Sequence, residues 1–230
     1  MIAISAIFYF LSQHPFWSMG LLLVFWLVVG GLVARWRNSP GWLALGAVGM
    51  VLGMANIFTG SMINAIFLNA FGTYGSAVVT HAEETNSTLN DQPIWAFEGV
   101  MQTSDGLDVK IGFDTMSASL YPVRNQIDLP PVGERFVVKY IPGFERNVAI
   151  MRDESPFGKR IIVAEARGPV DRAANQLAVS PNNASFKQEY REALEHFLTQ
   201  YSTDAPPSLV EHYRAQLRAL EQDMQIFHRP

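Results

Sequence analysis

From Phe16 to Ala34 the chain runs for 19 residues without a charged side chain. At about 1.5 Å per residue, a helix of this length covers the roughly 30 Å hydrocarbon core of a bilayer. A second uncharged stretch opens at Trp42 and continues past Phe58. It softens over residues 59 to 71, where Thr59, Gly60, Ser61, Asn64 and Asn69 suit the headgroup region. A buried helix of a water-soluble protein is normally shorter and keeps a polar face. Charge is distributed accordingly: residues 1 to 74 carry only Arg35 and Arg37, and the other 15 basic and all 21 acidic side chains follow. The sequence therefore predicts a membrane part and an aqueous part.

The membrane part divides into an N-terminal segment (1–15), a first transmembrane helix (16–34), a loop (35–41) and a second transmembrane helix with an interfacial extension (42–71). Ile2 to Leu11 is apolar but too short to span, and Pro15 disfavours helix at His14. The segment is expected to lie at the interface or to enter the first span through a kink. No Lys or Arg precedes it, so a cleaved secretory signal is not expected. Arg35 and Arg37 supply the only positive charge near the spans, which predicts a cytoplasmic loop. Everything after residue 72 then lies outside the cytoplasm, in the periplasm if the membrane is a bacterial inner membrane. Trp17, Trp36 and Trp42 fit the interfacial aromatic belt. Gly46, Gly49 and Gly53 allow close helix packing, against Gly30 and Gly31 of the first span or against a second copy, so a homo-oligomer stays open. Asn56 and Asn64 share a face and are expected to be hydrogen-bonded or wet, with a polar pathway as the alternative.

Beyond residue 72 the period changes. Residues 76–82, 94–102, 107–114, 135–141 and 147–151 read as short strands separated by Asn-Asp, Ser-Asp-Gly, Pro-Pro-Val-Gly and Pro-Gly turns. A sixth, IIVAEA, is expected at 161–166. Five strands in about 80 residues are too few for a sandwich, and the expectation is a small antiparallel β domain over 72–168, a partly closed barrel of OB or SH3 size. The whole is thus a membrane-anchored α+β chain.

The segments GSAVVTHAEE, WAFEG, SDGLDVKIGFD and PPVGERFVVKYIPGFERNVAIM resemble the domain of unknown function 3592 family, in which a membrane helix precedes a small β domain. The likeness rests on Gly133, Glu134, Val138, Tyr140, Pro142, Ala149 and Ile150 and covers about residues 72–152. After the Tyr-x-Pro motif the family usually places Asp or Glu-Asn-Pro, whereas this chain has Gly143-Phe144-Glu145-Arg146. The resemblance implies a fold and a location outside the cytoplasm; it implies no catalytic residue.

Residues 182–228 predict a helical hairpin. Ser185 to Gln188 and Ser208 to Glu211 match capping boxes. Phe186, Tyr190, Leu194, Phe197 and Tyr201 form one apolar stripe, and Val210, Tyr213, Leu217, Leu220, Met224 and Phe227 form another. The stripes are expected to face each other or to cover the β domain, with partner binding as the alternative.

Recognisable chemistry is sparse. The absence of Cys excludes disulfides, thiolate nucleophiles and Cys-ligated metals. His14, His81, His196, His212 and His228 form no metal-ligand pair by spacing; Glu189, Glu192 and His196 come nearest, as surface neighbours on one helix. Asp105, Asp108 and Asp114 cluster at one hairpin without an EF-hand pattern. No catalytic, cofactor or metal site is expected, and the acidic outer part argues against nucleic acid. The expected function is that of a non-enzymatic membrane-anchored interaction protein, such as an immunity or accessory protein, whose partners are the lipid bilayer and an unidentified protein. The alternative is a subunit or regulator of a membrane transport or envelope-stress complex, docking through the second transmembrane helix.

Overall fold

The protein is described here from a computed structural model that covers residues 1–89 and 91–227; Asn90 of the expected turn and His228 lie outside the described residues. The chain forms two compact units, Met1–Phe157 and Gly158–Pro230.

In the first unit, α1 (Ile2–Gln13) and α2 (Pro15–Arg37) are separated only by His14, at φ −129° and ψ 60°. Pro15 lacks the amide hydrogen a continuous helix would need, so the axis bends there and restarts with proline at its first position. Asn38, in the left-handed conformation that Asn tolerates, ends α2. A short 3-10 turn, Pro40–Ala44, leads into α3 (Leu45–Phe71). The helices Pro15–Arg37 and Pro40–Phe71 are long and apolar enough to cross a membrane. Only 11% and 22% of their most apolar windows are buried, too little for the core helices of a water-soluble fold.

Glycine sets how α2 and α3 meet. A Cβ on Gly49 would stand 2.6 Å from the Leu22 carbonyl oxygen, and one on Gly53 would stand 2.7 Å from Met19. Gly46 faces Leu27, and Gly30 of α2 faces the Trp42 carbonyl. The antiparallel helices therefore interlock within one chain along the face that carries Gly46, Gly49 and Gly53.

Gly72 alone separates α3 from β1 (Thr73–Leu89), and β2 (Gln92–Gln102), β3 (Asp108–Asp114), β4 (Ser119–Tyr121), β5 (Arg135–Ile141) and β6 (Phe144–Met151) complete a sheet of order β3-β2-β1-β5-β6-β4. Every described pairing is antiparallel except β4 with β6. The expected antiparallel, partly closed barrel is thus corrected: the sheet is mixed and open, its edges β3 and β4 unpaired with one another, although it curls enough for β3 to touch β6. Right-handed twist over six strands gives this curl, while the parallel β4 is only three residues long and cannot close the seam. Met101, Phe136, Val138, Tyr140 and Ile150 fill the concave side.

Among the described residues, the second unit holds three helices. The run at 161–166 is not a strand: it lies inside α4 (Pro156–Val179), and the β domain ends at Met151 rather than residue 168. Val163, Ala166, Val170, Ala173, Ala174 and Leu177 recur three and four apart, a helical stripe that outweighs the local β preference of Ile161-Ile162-Val163. This stripe packs on α5 (Ala184–Tyr201) and α6 (Pro207–Phe227) around Leu194, Phe197 and Tyr213, so the expected two-helix hairpin is part of a three-helix unit. The α5 cap is also corrected. Asn183, not Ser185, accepts the amides of Ser185 and Phe186, because it sits where two orphan N–H groups converge.

Gly49→Leu should force α2 and α3 apart. The monomeric protein in detergent should then unfold at a lower temperature than its Gly49 parent, which checks the packing within a single chain.

Candidate interaction surface and its mount

The helices and the sheet are joined by buried amides. The Asn64 side-chain amide donates to Ser119 Oγ at 2.8 Å and to Asn147 Oδ1 at 2.8 Å. Asn147 donates back to Asn64 Oδ1 at 3.0 Å and to the Ser5 carbonyl and hydroxyl at 3.1 and 3.0 Å. Asn64 and Asn147 are each 1% exposed and Ser5 is fully buried, so one polar knot ties α1, α3, β4 and β6. Lower on α3, Asn56 donates to the Leu11 carbonyl at 2.9 Å, where the break before Pro15 leaves α1 carbonyls without helical partners. Both asparagines flagged in the sequence thus brace helices from within.

Lys139 of β5 closes the C-terminal end of α3, beyond the knot. Its ammonium donates to the Asn69 carbonyl and side-chain oxygens at 2.8 and 2.9 Å and stands 4.6 Å from the centre of the Tyr74 ring. A cation at a helix C-terminus meets the negative end of the macrodipole. Beside the knot is a cavity of about 10 Å³ lined in part by Tyr9, Gln13, Arg146 and Asn147. It has room for one water-sized molecule and is too small for a substrate.

Gly133, Glu134, Tyr140 and Pro142, and the basic pair Arg35 and Arg37, have structural placements. Gly133 turns at φ +83°, and its amide donates to the Val79 carbonyl at 2.9 Å; Glu134 follows in the same turn. Tyr140 is buried, and its hydroxyl accepts the Ser104 amide at 3.0 Å. Pro142 and Gly143, the latter at φ +88°, form the two-residue turn between β5 and β6. Arg35 and Arg37 occupy the last turn of α2, where the Arg37 guanidinium lies 4.9 Å from the Trp36 ring centre.

Loop 122–134 is held by charge. Arg152, 2% exposed, pairs with Asp128 at 2.7 Å and Asp153 at 2.9 Å, and Arg124 also reaches Asp153 at 2.7 Å. Burial alone would lower the Arg152 pKa, but the opposing charges of Asp128 and Asp153 outweigh it and hold the guanidinium above its ordinary value. Asp114 caps its own turn, accepting the Met116 and Ser117 amides, and Asp105 and Asp108 are exposed. Among the described residues no three His, Asp or Glu side chains converge on one metal position.

What projects is the β1–β2 hairpin. β5 pairs with β1 only through Val78, and β3 pairs with β2 only from Ala96 onward. Thr115 adds three bonds to Trp95; past that point residues 85–89 and 91–94 stand as a two-stranded arm, roughly 15 Å long at strand rise. Thr85 donates across it to the Ile94 carbonyl at 2.8 Å, and register shifts interrupt β1 between Val79 and His81 and between Glu84 and Thr88. From His81 to Glu98 there is no Lys or Arg, while Glu83, Glu84, Asp91 and Glu98 are acidic and exposed. Trp95, 39% exposed, sits at the arm's base. The strand expected over 76–82 thus extends to Leu89, through Glu-Glu-Thr-Asn-Ser-Thr, which is polar on both faces and carries no alternation.

In the second unit, the Lys187 ammonium joins Asp223 and binds α5 to α6, and Lys159 pairs with Asp204 at 2.9 Å. Tyr190 is buried against α4 and α6. Burial first, then the neighbouring Tyr213 and Asp171, raises its pKa.

No protein-family model matches this chain, no curated protein is similar to it, and no solved structure matches its fold.

Asn147→Ala leaves the Asn64 amide and the Ser5 hydroxyl short of partners in a buried site and should cost about 3 kcal/mol of unfolding free energy. Ser119→Ala, removing one bond, should cost about 1 kcal/mol; thermal unfolding in detergent compares the two. A tyrosine whose pKa rises on folding contributes stability that is fully present below its unfolded value of about 10 and is lost as pH climbs through the folded value. The helical signal of the second unit should therefore weaken above about pH 10, and Tyr190→Phe should flatten that loss in circular dichroism.

Proposed function

We propose that this chain is a non-enzymatic protein anchored in a bacterial plasma membrane by α2 and α3, with its β module and helical unit outside the cytoplasm. In this reading it binds a protein partner through the β1–β2 arm. The observation that carries the reading is the arm itself. A two-stranded ribbon standing clear of its sheet gains little stability of its own. Its cost is understandable if the ribbon serves contact, with Trp95 as an aromatic anchor at its base. Four carboxylates and no cation over residues 81–98 suit a basic partner surface, which they would attract and orient. The orientation rests on Arg35 and Arg37 flanking the turn between the spans.

The resemblance to the domain of unknown function 3592 family agrees with this placement, since it too sets a small β domain directly after a membrane helix. An immunity or accessory protein that meets its target at the bilayer is one concrete form, because tethering raises local concentration without catalytic groups. Docking through the glycine face of α3 is less favoured, as Leu22, Met19 and Leu27 of the same chain already fill that face.

The chain lacks cysteine, so single-cysteine variants report without background. Ser87→Cys in intact spheroplasts should react with a membrane-impermeant maleimide; protection until lysis would reverse the orientation. A photoreactive side chain at Gln92 should cross-link one partner in native membranes, and Glu83→Lys with Glu84→Lys should weaken that capture about tenfold. Adducts that form only from α3, and none from the arm, would transfer the function to the spans.

A further inference from the structure

The polarity of α1 is inverted. Its exposed positions, Ile2, Ala3, Ile4, Ile7 and Phe10, are all apolar, whereas Ser5 and Ser12 are buried. A helix lying over a water-soluble module shows the opposite pattern. The same inversion continues through the upper turns of α3, where Ile63, Ile66 and Phe71 are 45%, 53% and 61% exposed and Asn64 is 1% exposed. It also matches α2, whose Leu21, Val24, Phe25 and Val28 face outward while Ser18 is buried. An apolar surface thus runs from the Arg35 end of α2 to the tip of α1, broken only at the bend by the exposed His14.

A perpendicular bundle cannot keep this surface in lipid. Counting about 20 residues upward from Ala34 ends the hydrocarbon at Pro15, leaving all of α1 and the last turns of α3 in water. α3 alone has 27 residues, about 40 Å of axis against about 30 Å of hydrocarbon. A tilt of about 40°, at the upper end of what membrane helices adopt, reconciles the two. Side chains at the junction with the β module mark where the water boundary falls. Tyr9 lies beneath the Arg146 guanidinium at 5.8 Å, and Tyr74 beneath the Lys139 ammonium at 4.6 Å. Aromatic rings paired with cations belong at headgroup level, and these pairs lie at the base of the sheet rather than at Pro15. The bend between α1 and α2 adds a groove of about 410 Å³ lined by Ile7, Phe10, Leu11, Leu21, Leu22 and Phe25, open to the same apolar surface.

We infer that α1 is a third membrane element: the bundle tilts steeply, lipid acyl chains cover the outer face of α1 and fill the groove at its bend, and the base of the β module rests on the headgroups. This rests on the membrane reading of α2 and α3. The β module then has no slack, because Gly72 is its only spacer and the knot at Asn147 holds α1 from the other side.

Full-length protein with one spin label, at Ile4→Cys, Ile7→Cys, Val28→Cys or Leu107→Cys, is reconstituted in nanodiscs of phosphatidylethanolamine and phosphatidylglycerol. Collisions with oxygen and with a water-soluble nickel chelate are then compared. The labels at 4 and 7 should show the loss of nickel accessibility seen at 28 and the high oxygen accessibility of lipid, opposite to 107. If 4 and 7 meet nickel as 107 does while 28 stays protected, α1 stands in water and the inference fails with the membrane reading intact. If 28 also meets nickel, the membrane reading fails. Protection of 4 and 7 from both reagents overturns the inference in favour of a protein cover, a second copy if the labels broaden one another's spectra.

Discussion

A mutual pair of amides, Asn64 with Asn147, is the interaction on which the first unit depends. One partner sits two turns from the end of an uncharged helix and the other in a strand, and neither has access to water. Removing either from solvent without a partner would be costly, so the two elements are stable only together. Ser5 draws α1 into the same network, and Ser119 fixes the short parallel strand β4 that would otherwise have little to hold it. The α1 helix, too short to be stable alone, is thereby specified by its hydrogen bonds as well as by packing of Phe8 on Phe67.

This arrangement explains what could be read from the sequence. The two uncharged runs needed no tertiary knowledge, because a run of about 20 residues without charge has few other uses. The β strands with one buried face, such as Asp108–Asp114, announced themselves by β-branched and aromatic residues. Three features escaped for distinct physical reasons. The arm beyond Ala82 has no buried face and so no period. Ile161-Ile162-Val163 has strand-like residues in a short window, and its helical stripe emerges only across 24 residues, with Pro169 inside α4 obscuring it further. The Asn64–Asn147 pair joins positions 83 residues apart, and one sequence cannot announce such a pairing, although two asparagines and a glycine on one face of an apolar helix marked the α3 half.

The glycine ladder on α3 and the amide knot above it divide the work between two regimes. Over Gly46, Gly49 and Gly53 the helices meet by dispersion and close backbone approach, with no polar side chain between them. From Asn56 upward the contacts become hydrogen bonds, first to the open carbonyls at the α1–α2 break and then to the sheet. The break before Pro15 is therefore useful as well as tolerated. It frees the Leu11 carbonyl that Asn56 takes, and it lets α1 follow α3 at an angle α2 does not need.

Rigidity at the base gives meaning to the exposed arm. A short ribbon on a flexible stalk would sample a hemisphere, and ordering it would cost conformational entropy. Here the chain passes from α3 to β1 through a single residue, β1 is itself the strand that extends into the arm, and Lys139 fastens the junction by capping α3. The arm and α3 are consecutive pieces of one continuous backbone. The register shifts between Val79 and His81 and between Glu84 and Thr88 are the points at which this backbone departs from regular pairing, and Glu83 and Glu84 lie between them.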